Sequence, residues 1–85
     1  MRSVLVTGVS TGIGKAIAEE LLNNEFIVIG SVRKESDGED LKKRFEENFY
    51  PVKFDVTKKH EIQKAKVEVE KILADRKSYL SCVIN

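Results

Sequence analysis

Three glycines, Gly8, Gly12 and Gly14, stand between the apolar run Val4-Leu5-Val6-Thr7 and a segment whose apolar residues recur at helical spacing. A strand, a glycine turn and a helix in that order put backbone N–H groups and a helix N-terminus at the strand's carboxyl end. Such a place attracts anions, and the phosphates of a nucleotide are its usual occupants. Gly8 permits the tight turn, Gly12 lets the backbone approach a pyrophosphate, and Gly14 lets the helix pack hard on the strand. An ordinary strand-to-helix loop is the alternative, and three glycines in this context weigh against it.

Two phosphate-binding patterns do not fit. A P-loop has four residues between its first glycine and Gly-Lys, followed by Ser or Thr. Five separate Gly8 from Gly14-Lys15, and Ala16 has no hydroxyl for Mg²⁺. The G-x-G-x-x-G fingerprint fails too, because the order here is G-x-x-x-G-x-G.

The elements that must hold this loop follow in alternation. After a strand at Ser3–Thr7, Ile13, Ala16, Ile17 and Leu21 form one stripe of a helix running to about Leu22, closed by Asn23-Asn24. Phe26–Val32 reads as a second buried strand, and Ser36-Asp37-Gly38 as a turn. Leu41, Phe45 and Phe49 repeat every four residues, which predicts a second helix. Pro51 then opens a third strand, Val52–Asp55. Thr57 can cap a third helix with Glu61 nearby, and its stripe is Ile62, Ala65, Val69, Ile72 and Leu73. Leu80–Ile84 is the fourth strand.

This alternation predicts an α/β fold with right-handed parallel crossovers. Its sheet order should be 3-2-1-4, the first half of a doubly wound Rossmann fold plus one strand, with three helices. The switch point falls between strands 1 and 4, under the glycine loop.

Composition narrows the function classes. Eighty-five residues make one domain at most, burying a little over ~60% of its unfolded surface. A net charge of +1 supplies no field for nucleic acid or an anionic membrane. The first apolar run is too short to span a bilayer or serve as a signal peptide. The one cysteine, Cys82, excludes an internal disulfide and fits a reducing, cytoplasmic setting. Inside an apolar run it reads as a buried, inert thiol. His60 stands alone and reads as solvated, so no metal site is expected.

With Thr7 ahead of it, the glycine spacing resembles the Thr-Gly-x-x-x-Gly-x-Gly motif of the short-chain dehydrogenase/reductases. Asp55-Val56 resembles the family's Asp-Val pair beside the adenine ring, although Asp-Val-Thr also suits a helix N-cap. Cys82-Val83-Ile84-Asn85 resembles the approach to the family's Asn-Asn-Ala-Gly motif. At the end of strand 2, where an NAD-preferring site offers Asp or Glu, this chain has Val32-Arg33. A guanidinium can grip a 2′-phosphate with two parallel hydrogen bonds, as a carboxylate cannot. A solvated surface charge is the other reading of Arg33.

The resemblance therefore implies a dinucleotide site with contacts from Gly8, Ser10, Thr11, Gly12, Ile13 and Gly14, from Arg33, and from Asp55 and Val56. NADP(H) is the preferred cofactor and NAD(H) a possible one. Residues 1–85 would form a partial cofactor-binding domain, ending after strand 4. The family's catalytic serine and Tyr-x-x-x-Lys pair are not in this sequence: Phe54 follows Tyr50 by four residues, and Val83 follows Tyr79. No catalytic residue is expected here. Expected partners are the cofactor and either a second copy or the family's C-terminal half, with no nucleic acid and no membrane. A non-catalytic nucleotide-binding or interaction module, or a remnant without function, is the alternative.

Overall fold

The computed structural model describes residues 2–10, 12–53, 55 and 57–84. Four strands form one parallel sheet: β1 (Ser3–Val6), β2 (Ile27–Val32), β3 (Phe49–Lys53) and β4 (Leu80–Ile84). Their order is β3-β2-β1-β4, as the alternation predicts. In register, Val4 lies between Val28 and Cys82, and Gly30 pairs with Pro51. The connecting helices are α1 (Gly12–Asn23), α2 (Glu39–Phe45) and α3 (Lys59–Asp75).

Two apolar layers hold the helices to the sheet. On one face, Ala18 and Leu22 of α1 and Leu41 of α2 pack with Val4, Val6, Val28, Val32 and Phe49. On the other, Ala65 of α3 packs with Ile29 and Val52, flanked by Leu5, Tyr50, Val69 and Ile72. β2 is buried at every position, which is why its sequence shows no polar alternation.

Several local expectations are corrected. The buried stripe of α1 is Ala18 and Leu22, with Ile17 and Leu21 beside it, while Ala16 is exposed and Ile13 is 79% exposed. Ile13 lies in the first helical turn. Ile62, expected in the stripe of α3, is exposed as well.

Phe49 is not helical. Glu46 takes a positive φ of 47° directly after α2 and opens a short 3₁₀ turn to Asn48, and Phe49 opens β3 fully buried. Pro51 therefore lies inside β3 instead of opening the strand. The strand accepts it because β3 is an edge, where a missing outward N–H breaks no ladder bond. Lys42 Nζ donates to the Phe49 carbonyl at 2.9 Å on the same strand.

The left-handed residue after α1 is Glu25, at φ 65°, and not an asparagine. Glu25 N–H donates to Leu22 O at 3.2 Å and Phe26 N–H to Leu21 O at 3.1 Å, the paired bonds of a Schellman ending. Lys77 repeats this arrangement after α3, at φ 51°. At the start of α3 the N-cap position falls on Lys58 and not Thr57, and the Lys58 side chain makes no capping bond. Thr57 instead gives its hydroxyl proton to Asp55.

Candidate cofactor site

The loop after β1 is fixed from three sides. Thr7 N–H and Oγ1 both donate to the carbonyl of Ile84, at 2.8 and 3.3 Å, joining the loop to the end of β4. Gly8 turns the chain at φ 69°, and its N–H donates to Ser31 Oγ of β2 at 2.8 Å. Val9 N–H donates to the carbonyl of the same serine at 3.1 Å. The Val9 side chain is fully buried, and a Cβ on Gly30 would come within 2.8 Å of its methyl.

Beyond that point the loop opens toward solvent. Gly12 has φ 65° with nothing within 4 Å of where a Cβ would sit. Gly14 is the opposite case: a Cβ there would fall 2.1 Å from the Gly8 carbonyl oxygen. The first turn of α1 thus lies directly on the loop backbone, as its sequence position suggests. Ser10 Oγ is buried and has no hydrogen-bond partner among the described residues. A buried hydroxyl with nothing to bond is costly unless a ligand supplies the partner. An orphaned hydroxyl, open space above Gly12 and a helix N-terminus together fit a phosphate group.

Arg33 and Lys34 are exposed just past β2. Asp55, just past β3, accepts from both the N–H and the hydroxyl of Thr57 on Oδ1, at 2.9 and 2.7 Å. These bonds hold its carboxyl below the usual carboxylate range, with smaller help from the charges of Lys58 and Arg33. Arg33 and Asp55 are therefore electrostatic neighbours across the carboxyl ends of adjacent strands. A surface groove of about 380 Å³, lined by Val32, Glu35, Pro51, Lys53 and Glu68, lies along β3 beside them. A larger recess, at Arg2, Asn24, Glu25, Phe26 and Asn48, belongs to the opposite end of the sheet, away from the glycine loop.

The structure brings Gly8, Ser10, Gly12, Ile13 and Gly14 into one loop and helix start, and sets Arg33 and Asp55 at the same end of the sheet. Thr11, Val56 and Asn85 lie outside the described residues. Ser31 is the site residue that sequence reasoning missed. Its trace was a small polar residue inside an otherwise apolar strand, 6% exposed in the fold. Cys82 is exposed, contrary to the expected burial, because β4 gives neither apolar layer a buried residue, only the partly buried Ile84. His60 is exposed, and no group of His, Cys, Asp or Glu among the described residues could hold a metal ion. No helix among them is long and apolar enough to cross a membrane. Tyr50 packs on the α3 layer and accepts from Arg76 at 3.1 Å.

A parallel 3-2-1-4 sheet with a glycine loop at its switch point defines a Rossmann-type dinucleotide-binding fold. The family model described as short chain dehydrogenase matches residues 2–85, and the chain belongs to that family. The NADPH-dependent 3-dehydrocapnine reductase of Ornithobacterium rhinotracheale is 40% identical over 85 residues, all of this chain and 29% of that protein. A short-chain dehydrogenase from Streptomyces avermitilis superposes with a TM-score of 0.80 at 28% identity, over 96% of this chain and 29% of its own. YwfH, an NADPH-dependent reductase involved in bacilysin biosynthesis, gives 0.77 at 28% identity, over 99% of this chain and 36% of its own. The chain thus spans about a third or less of the relatives it matches.

Proposed function

We propose that the chain is the NADP(H)-binding N-terminal portion of a short-chain oxidoreductase that reduces a carbonyl or oxidises an alcohol. The observation that carries the cofactor choice is Arg33, exposed at the end of β2 where no carboxylate stands. The NADPH dependence of two relatives supports it. In this reading the amides opening α1 and the Ser10 hydroxyl hold the pyrophosphate, Arg33 holds the 2′-phosphate, and Asp55 receives the adenine amino group. Thr11, Ile13 and Val56 complete the contacts along the cofactor. NADP(H), when bound, supplies the hydride exchange.

Charge-assisted hydrogen bonds are worth about 1.5–3 kcal/mol, so NADPH should bind about ten- to a hundredfold more tightly than NADH. Calorimetric titration of both cofactors into wild type and Arg33→Ala checks this. Equal affinities in wild type, or a preference that survives the substitution, would exclude the assignment.

In this proposal residues 1–85 form a partial domain, with the family's catalytic groups supplied by a further C-terminal part. On β4, Val83 is half exposed, and Tyr79 just before the strand is 63% exposed. An uncovered edge with apolar sides invites another chain. The 85 residues alone should therefore associate, and light scattering over a dilution series should show more than monomer. A monodisperse monomer at every concentration would count against this. The exposed thiol of Cys82 fits a reducing, cytoplasmic compartment.

A further inference from the structure

We infer that Ser31 is the positioning residue of the glycine loop, clamping two consecutive amides so that the remaining ones face the cofactor's pyrophosphate. The inference rests on reading the loop as a pyrophosphate cradle. Ser31 meets Gly8 N–H with its side-chain oxygen and Val9 N–H with its carbonyl. Both amides are therefore engaged within the protein, and the phosphate donors must begin at Ser10. Gly8 is held from the other side as well, its carbonyl pressed beneath Gly14. A hydroxyl on β2 and a glycine on α1 thus hold the two peptide units that flank the Gly8 Cα.

The hydroxyl's effect on binding comes through preorganisation. With Ser31 at 6% exposure, its side chain has a fixed place in the strand, and the Gly8 amide inherits that fixity. Without the acceptor, the Gly8 N–H turns to water and the loop samples other conformations. Apparent affinity then falls by the fraction of time the binding conformation is lost. The loss should be the same for NADPH and NADH, because both carry the pyrophosphate and the substitution leaves Arg33 in place.

The test combines amide hydrogen exchange by NMR with calorimetric titration of NADPH and NADH, for wild type, Ser31→Ala, Ser31→Cys and Ser31→Thr. Removing one hydrogen bond should speed exchange at Gly8 by about tenfold and weaken both cofactors by about three- to tenfold. Exchange in the centres of β1 and β2 should stay as it was, and the NADPH/NADH ratio should not move. Ser31→Thr, which keeps the hydroxyl, should restore both readings. Ser31→Cys, close in size but a weak acceptor, should behave like the alanine variant and covers the case in which that variant does not fold. Gly8 exchange that is unchanged in both, or a loss confined to one cofactor, would overturn the positioning role. Wild-type protein that binds neither cofactor would instead overturn the cofactor reading, and Gly8 exchange would still judge the clamp.

Discussion

Gly14→Ala should lower the melting temperature by about 10–20 °C and reduce cofactor affinity more than tenfold, the steepest functional loss we expect from adding one methyl group. The new carbon would sit 2.1 Å from the Gly8 oxygen and 2.9 Å from its carbonyl carbon. Those are backbone atoms, so no rotamer change relieves the clash. The loop is held in turn, through Gly8 to Ser31 and through Thr7 to Ile84. Either α1 lifts from the sheet or the loop leaves its bonds. Overpacking of this kind costs roughly 1–3 kcal/mol, and an immobile backbone puts this case at the upper end. A chain of this length has on the order of 4–13 kcal/mol in total. Circular dichroism melts and calorimetry check the expectation. A melting point within about 3 °C of wild type, with binding retained, would show that the contact yields more easily than its geometry implies.

Phe49→Ala should bring the protein close to unfolding at room temperature. The ring is fully buried at the start of β3 and packs in the layer formed with α1 and α2. Its Cε1 lies 2.9 Å from where a Cβ on Gly30 would stand, so the missing side chain of β2 makes the space the ring fills. Truncating a buried Phe costs about 3–5 kcal/mol, a large share of what so small a domain has. Urea denaturation followed by far-ultraviolet circular dichroism measures the loss. A cost under about 1 kcal/mol would mean that the layer collapses onto the cavity and that Phe49 is not its centre.

Phe49 also shows where a sequence misleads. Leu41, Phe45 and Phe49 share helical spacing by coincidence, since α2 stops at Phe45 and the left-handed turn at Glu46 redirects the chain. Nothing in Glu46 announces that turn, as glutamate rarely adopts a positive φ. The same holds for Glu25 and Lys77 at the ends of α1 and α3. The order of elements was legible because buried parallel strands and amphipathic helices leave long periodic traces. So was the glycine loop, where Gly14 answers a contact that only glycine permits. The role of Ser31 was not, because one hydroxyl crossing from strand to loop leaves no period. Nor was the exposure of Cys82, which depends on what packs over β4 and not on the residues around the thiol.

The two flanks of the sheet are unlike. On β3 the proline at position 51 has no N–H to offer, and the Phe49 carbonyl already takes the Lys42 ammonium. A strand arriving there finds its hydrogen-bonding partners missing or occupied. On β4, no main-chain partner meets the outward side among the described residues. If copies of the 85 residues alone meet through β4, as proposed above, only their proline-bearing flanks are left outward. Such a pair would close on itself, and a ribbon of stacked copies would have no second end from which to grow.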